Sequence, residues 1–487
     1  MNTKYELFSR LTAVRPDERQ IEWQKLGFTA FFHFGVNTFT NKEWGTGKEN
    51  PKIFNPVGLD TDQWCKTVKE AGIKACILTV KHHDGFCLWN TAHTNHSVMA
   101  SKKPVDIAKL FTESCRKFGL KPGFYLSPWD MHEPTYGSGK DYDDFFCNQL
   151  EELTTAFGEL YTFWFDGACG EGPNGRIQKY DWERYFKLIR KNQPQAVLSI
   201  MGPDVRWIGN EAGITRESEW SVVSAKLRNQ NTIAAASQHT DGEKPMSEMD
   251  EDLGSTAALE NEKELCWYPA EVDVSIRPGW FYHPEENDKV RSVENLLRIY
   301  ESSVGGNAVL LLNIPPDTDG KINPADASRL KELGKRTSSI YSKNLLTNAK
   351  LSTTAAPAAP DAPAPTTDAE SAAPATDETL NSILADDESY WTGEKEQAEI
   401  TITLPIKKKL THLVLCEQIR QSQRIETFTL EAKQGENWQP IYKGTTIGNK
   451  KICRFPPIET QELKLKIKNS RLTPTLRLIT AHYDKQE

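Results

Sequence analysis

From about residue 25 to 340, short apolar runs alternate with amphipathic helical patterns, and no other feature of this 487-residue chain constrains its fold so tightly. Parallel strands need a crossover between them, usually a helix, so repeated strand–helix units are the signature of a parallel sheet with helices on its faces. The runs cover 29–36, 74–81, 123–127, 161–165, 196–201, 214–220, 271–276 and 308–314. Eight runs are enough to close a barrel, and the region 1–342 is expected to be a (β/α)8-like, TIM-type barrel.

The intervening helices carry their own punctuation. Asp106 reads as an N-cap, Ile107, Leu110, Phe111, Ser114, Cys115 and Phe118 share one face, and Gly119 supplies the C′ position. Residues 62–72 and 143–158 follow the same pattern, 181–192 stops before Pro194, and 293–304 stops at Gly305-Gly306. The sixth and seventh units are irregular, and the polar stretch 224–265 between them is expected to be rich in loops.

Near Ser342 the pattern changes to period two: Ile400, Ile402 and Leu404; Phe428, Leu430 and Ala432; Leu463, Leu465 and Ile467. Each set is a strand with one buried face, so 343–487 is expected to be a β-sandwich. Within it, about 353–379 is dominated by Ala, Pro, Thr and acidic residues, a composition that buries no core and is expected to be disordered. Residues 344–351 read as a strand ahead of it, so the tract is either an interdomain linker or a long loop inside the sandwich.

Charge and cysteine usage remove several functions. With 59 Lys+Arg against 67 Asp+Glu the net charge is −8, and no global positive field exists to hold a nucleic acid. Lys407-Lys408-Lys409 reads as a solvated strand edge. The nine Cys form no C-x-x-C pair and indicate no disulfide framework. No run approaches the roughly 18 apolar residues that would span a bilayer, and the first residues lack a leader pattern. The expected location is therefore periplasmic or secreted if an export signal has been removed, and cytoplasmic otherwise.

In a parallel barrel, reactive groups belong at the C-terminal ends of the strands. There the chain places Phe31-Phe32-His33-Phe34-Gly35, Lys81-His82-His83-Asp84-Gly85-Phe86, Tyr125-Leu126-Ser127-Pro128-Trp129 and Phe163-Trp164-Phe165-Asp166-Gly167. Asp166, among aromatic rings, is a candidate nucleophile toward a sugar C1, or else a strand-end helix cap. Glu211, bracketed by Gly209 and Gly213, is a candidate partner carboxyl, with Glu217 and Glu219 as competitors. Two such carboxyls about 5 to 5.5 Å apart define a retaining glycosidase. His33, His82 and His83 suit either a metal or sugar hydroxyls. The adjacent pair His82-His83 is expected to point apart, and no H-x-H or H-E-x-x-H spacing occurs. Trp44, Trp164 and Trp280 are either core residues or the walls of a sugar site.

These residues are similar to those of a known family. Phe32-His33-Phe34-Gly35, Glu43-Trp44-Gly45, Lys81-His82-His83-Asp84-Gly85-Phe86, Trp164-Phe165-Asp166-Gly167, Gly209-Asn210-Glu211 and Arg277-Pro278-Gly279-Trp280 resemble, in order and spacing, the α-L-fucosidases of glycoside hydrolase family 29. The resemblance implies Asp166 as nucleophile, Glu211 as general acid/base, and His33, Glu43, Trp44, His82, His83, Tyr125 and Trp280 as the fucose pocket, with Trp164 beside them. It implies no metal and no cofactor, fucosylated oligosaccharides or glycoconjugates as partners, and a discoidin-like sandwich behind the barrel. The Gly209-Asn210-Glu211 placement resembles the subgroup acting on α-1,3/1,4-linked fucose of branched, Lewis-type glycans. The Ala/Pro-rich tract departs from the family pattern and, on the resemblance, is an insertion within a sandwich that starts near 343. Two rival classes stand beside this one: a metal-dependent barrel hydrolase using the His cluster, and a non-catalytic protein that binds fucosylated glycans.

Overall fold

A computed structural model describes residues 3–237, 252–354 and 377–486. Its first sheet has eight strands, β1 (Phe28–Phe32), β2 (Ala75–Lys81), β3 (Lys121–Leu126), β4 (Thr162–Phe165), β5 (Val197–Ile200), β6 (Arg206–Trp207), β7 (Ala270–Ser275) and β8 (Ala308–Asn313). They pair in parallel in the order β5-β4-β3-β2-β1-β8-β7-β6, so consecutive strands are neighbours around a ring that opens only between β5 and β6. One parallel bridge, Ser199 to Val205, spans that opening and nearly closes the barrel.

Helices cover the outside after six of the eight strands. Thr61–Glu70, Ile107–Lys117, Lys140–Ala156 and Trp182–Asn192 follow the first four strands; Val293–Ser303 and Pro324–Tyr341 follow the last two. Asp60, Asp106, Asp181 and Ser292 cap four of these helices by accepting a backbone N–H three residues on.

The fifth connection departs from the expected plan. Only residues 201–205 separate β5 from β6, with no helix between them. The segment 214–220, expected to be the sixth strand, forms none. Its middle carries Arg216 and Glu219, both buried. Glu219 pairs with Arg206 and, at 3.5 Å, with Arg216, so side-chain charges rather than a backbone ladder hold this segment. The two-residue β6 takes the sixth place, with Arg206 in register with Ala270. Of the stretch 224–265, expected to be rich in loops, residues 238–251 lie outside the described residues; the described part is mostly loop with short helices, Gln230–Ser237 among them.

Period-two alternation sorts strand residues between two cores. Phe31, Ile77, Tyr125, Trp164, Val197 and Leu311 pack inside the barrel, while their neighbours Phe32, Leu78, Phe124, Phe163, Leu198 and Leu310 pack against the helices.

The second domain has an antiparallel sheet of β9 (Lys350–Thr354), β10 (Ala398–Cys416), β11 (Ile425–Gln434), β12 (Asn437–Gly444), β13 (Lys451–Ser470) and β14 (Leu478–His482), and a separate two-stranded antiparallel sheet of Trp391–Thr392 with Thr475–Leu476. The order is β9-β10-β13-β11-β12, with β14 beside β10. Bulges near Thr403 and Leu410 divide β10, so its first half pairs with β9 and its second with β14. The alternating apolar residues named above are buried in this second core. Residues 344–349, expected to begin the first strand, form a turn with Asn348 at φ +66, and the strand begins at Lys350. Most of the Ala/Pro-rich tract lies outside the described residues. On either side of it, Leu351 and Leu380 share one core, and Leu351 N donates to Asn381 Oδ1 at 2.9 Å.

All nine cysteines lack disulfides. No helix among the described residues is long and apolar enough to cross a membrane.

Candidate active site

The alternation that fills the barrel also ends in polar side chains at its mouth: after Phe31 comes His33, after Trp164 comes Asp166, and after Leu311 comes Asn313. A cavity of about 590 Å³ opens there, within the range that holds a small ligand. His33, Glu43, Trp44, His82, His83, Tyr125, Trp164, Asp166, Glu211 and Trp280, all singled out in the sequence, line it together. Glu217 and Glu219 do not. Glu219 is committed to its arginines, and the backbone carbonyl of the exposed Glu217 accepts from Thr445 in the second domain.

Asp166 is the most tightly aimed carboxylate. Tyr125 donates its hydroxyl to Oδ2 at 2.8 Å, and the backbone N–H of Ala168 donates to Oδ1 at 2.8 Å. Two donors, one on each oxygen, hold the group in one orientation. His83 Nε2 lies 3.7 Å from Oδ2.

The imidazoles are set by their outer partners. Asn313 Oδ1 faces His33 Nδ1 at 2.8 Å, so that nitrogen donates and Nε2 is left as an acceptor. Ser127 gives its hydroxyl proton to Trp129 O and therefore accepts from His83 Nδ1 at 2.8 Å, which again leaves Nε2 an acceptor. Burial holds all three imidazoles below the usual range, His33 down to about 3, so they enter the cavity uncharged. The expectation that His82 and His83 point apart fails: their rings are 4.2 Å apart and both line the cavity. They follow the end of β2, in a turn closed by Gly85 N to His82 O, where the pleat no longer alternates side chains. Among the described residues no group of three or more His, Cys, Asp or Glu is arranged to hold a metal ion.

Trp280 is fixed from three directions. Its backbone N–H donates to Glu43 Oε2 at 2.8 Å, its carbonyl accepts from Asn313 Nδ2 at 2.8 Å, and its indole N–H donates to Glu211 Oε2 at 3.1 Å. Glu43 also receives Phe281 N and faces His283 Nε2, so it clamps the whole loop. Behind the loop, fully buried Arg277 pairs with Asp326 at 2.8 Å and stacks on Tyr282. Trp44 is the exposed wall, 54% accessible and edge-on to His83 and Trp129. Trp164 belongs to the interior core and to the lining at once.

Sequence reading missed Glu271 and Asp273 on β7. Trp164 Nε1 donates to Glu271 Oε1 at 2.7 Å, and Trp207 Nε1 donates to Asp273 Oδ1 at 2.7 Å. Asp273 lines the cavity, as does Trp207. The available signal was the alternation Glu271-Val272-Asp273-Val274, which puts two carboxyls on one face of a strand whose other face is apolar. Burial pushes Glu271 up to about 8. Burial first, and then the charge of Glu211, hold Asp273 well above the usual carboxylate range.

Known proteins share this architecture. The family model for α-L-fucosidases matches residues 7–339. The α-L-fucosidase 1 of Arabidopsis thaliana is 38% identical over 483 residues, spanning 96% of this chain and 88% of that protein. A Ruminococcus gnavus family 29 fucosidase solved in complex with fucose is 30% identical with a TM-score of 0.81, covering 97% of this chain and 95% of that one. A solved Bacteroides ovatus structure is 41% identical with a TM-score of 0.83, covering 98% and 76%. With its barrel, its cavity and its sequence in agreement, the chain belongs to the α-L-fucosidases of glycoside hydrolase family 29.

Proposed function

We propose that the protein is a retaining exo-α-L-fucosidase that releases terminal α-1,3/1,4-linked fucose from branched, Lewis-type glycans. The observation that carries the mechanism is the state of Asp166: a carboxylate held by one donor on each oxygen, in the same cavity as Glu211. In the first step Asp166 attacks C1 as Glu211 protonates the departing oxygen, and the C1–O bond breaks. In the second, Glu211 takes a proton from water, which attacks C1 and frees Asp166. The Nε2 acceptors of His33 and His83 receive sugar hydroxyls, and the rings of Trp44 and Trp280 receive apolar faces of the sugar.

Replacing Asp166 by Ala is expected to lower turnover by several orders of magnitude with the fold intact. Azide is expected to restore the rate and give a β-fucosyl azide; an α-configured azide would remove Asp166 from the nucleophile role. Glu211→Ala is expected to slow natural glycans more than aryl fucosides, because an acid matters most for a poor leaving group.

The linkage preference is drawn from the Gly209-Asn210-Glu211 motif and the long segment after β6. Helix Gln230–Ser237 of that segment reaches the cavity through Ser237. Free fucose released well below KM is the test: a Lewis-type trisaccharide is expected to be cleaved much faster than a linear α-1,2-fucosylated one, and equal rates would mean broad specificity.

A further inference from the structure

Asn313 ends β8 fully buried, in register with Phe31 of β1 on one side and Ser275 of β7 on the other. Its amide meets three groups at once: the nitrogen lies 2.8 Å from Trp280 O and 2.9 Å from Ser275 Oγ, and the oxygen lies 2.8 Å from His33 Nδ1. The far ends of this chain fix its direction. A backbone carbonyl only accepts, so Trp280 O determines which end of the amide is nitrogen. Ser275 donates its one proton to Gly279 O at 2.7 Å, so its oxygen accepts from the amide as well. Both amide hydrogens are thus committed to the loop 277–283, one directly and one through Ser275. The oxygen is left for His33, whose Nδ1 must carry a proton. With the amide reversed, its oxygen would face Trp280 O, acceptor against acceptor, in a buried place.

We propose that Asn313 is a positioning residue that ties the Trp280 wall to His33: the loop's carbonyls orient the amide, and the amide holds His33 in the tautomer whose Nε2 accepts a hydroxyl of the sugar. This rests on the sugar-binding role proposed above for His33. Glu43 receives the N–H groups of Trp280 and Phe281 while Asn313 serves the Trp280 carbonyl, so the loop is held through its donors by one side chain and through its acceptor by another. The titratable groups facing His33 are His82 and His83 from the turn after β2 and Tyr125 from β3, and Trp280 and Phe281 cover it from the loop. Burial, assisted by His83 and opposed by the Asn313 bond, holds the imidazole down to about 3. At neutral pH it therefore has one donor and one acceptor, and the network decides which nitrogen is which.

The test reads the imidazole protons by nuclear magnetic resonance of the full chain labelled with 15N-histidine, the His33 signals being those lost in His33→Gln. Wild type at pH 7 is expected to carry the His33 proton on Nδ1, with Nε2 bare; a proton on Nε2 alone would overturn the proposal. Asn313→Asp keeps the shape of the side chain, removes both donors and sets a carboxylate against Nδ1. It is expected to leave both nitrogens protonated at pH 6 and to raise the inhibition constant of free fucose about tenfold or more, because Nε2 no longer accepts. Gly279→Ala crowds the loop against Glu43 and His283 and touches neither Asn313 nor His33. It is expected to give His33 a second tautomer. A merely structural Asn313 would lower the unfolding midpoint and the rate with the His33 signals unchanged, and wild-type signals in folded Asn313→Asp and Gly279→Ala would overturn the proposal. A changed signal in Asn313→Asp with a wild-type one in Gly279→Ala would overturn the tie to the loop. If Asn313→Asp does not fold, Gly279→Ala decides alone. Wild-type inhibition of His33→Gln by fucose would instead remove the sugar-binding role of His33, and the spectra would still decide whether the loop sets its tautomer.

Discussion

Glu271 shows how one buried side chain couples the site to pH. Its folded carboxyl titrates at about 8 against an ordinary 4.5, because burial disfavours the charge more than the Trp164 hydrogen bond supports it. Between those values the unfolded chain releases a proton that the folded chain keeps, so stability falls as pH rises through the window. Glu271→Gln keeps the acceptor for Trp164 and removes the titration. Its melting temperature relative to wild type is expected to climb from pH 5 to pH 8 in scanning calorimetry; a constant offset would contradict the assignment. Residues of this kind were hard to read in advance. Asp166 and the histidines announce themselves by interrupting aromatic runs at strand ends. Glu271 and Asp273 sit inside a strand-like run, where only the alternation marks them and nothing local says that the inward face is a cavity wall.

Among the elements, the loop from Arg277 to His283 determines the shape of the pocket, and Gly279 is where it comes closest to its clamp. A Cβ there would stand 2.7 Å from both Glu43 Oε1 and His283 Cδ2. Gly279→Ala is expected to push the clamp away from Trp280 and lower kcat/KM roughly tenfold, about 1.4 kcal/mol, with most of the loss in KM; steady-state kinetics on an aryl fucoside will show it. Five of the helices and seven of the barrel strands were legible because caps, glycine stops and periodicity are local signals; the helix Pro324–Tyr341 was not singled out. The sixth strand was not, because two residues cannot display a period. The segment mistaken for it has apolar residues at both ends, Ile214 and Trp220, around charges that tertiary ion pairing buries.

Taken whole, the molecule is a barrel and a sheet domain joined by a seam that is apolar where Ile419 packs with Phe8, Ile21 and Trp267 and where Ile452 packs with Tyr300 and Tyr341, and polar between them. Gln423 of the second domain accepts from Ser221 N at 2.8 Å and from Asn307 Nδ2, and donates to Glu219 O. It thereby braces the segment whose Glu219 holds Arg206 beside Trp207. Further joints are Arg336 with Asp484, Arg471 with Gly254 O, and Glu301 with His412 and Arg454. Gln423→Ala leaves buried donors without their acceptor and is expected to cost about 1–3 kcal/mol. Barrel and sheet are expected to unfold in one calorimetric transition, and a resolved earlier transition for the sheet would show that the joint is weak. Both domains were visible in the sequence as a change of period from helical to two. Their joint was not, because periodicity tells which face of an element is buried and never what lies against it.

The incomplete ring has a mechanical consequence. β1, β2 and β3, whose ends present His33, the His82-His83 turn and Tyr125, are hydrogen-bonded to neighbours on both sides. β5 and β6 meet through one bridge, and the residues at that junction, Ile200 and Trp207, also line the cavity. Ile200 holds φ +68, a left-handed conformation that a β-branched residue adopts only under constraint. Backbone pairing is thus distributed unevenly around the mouth, and at the junction side chains stand in for the missing ladder: Tyr268 donates its hydroxyl to Ile200 O and Gly202 O, Leu198 N donates to Asp204 Oδ2, and Gln20 Nε2 donates to Asp204 O.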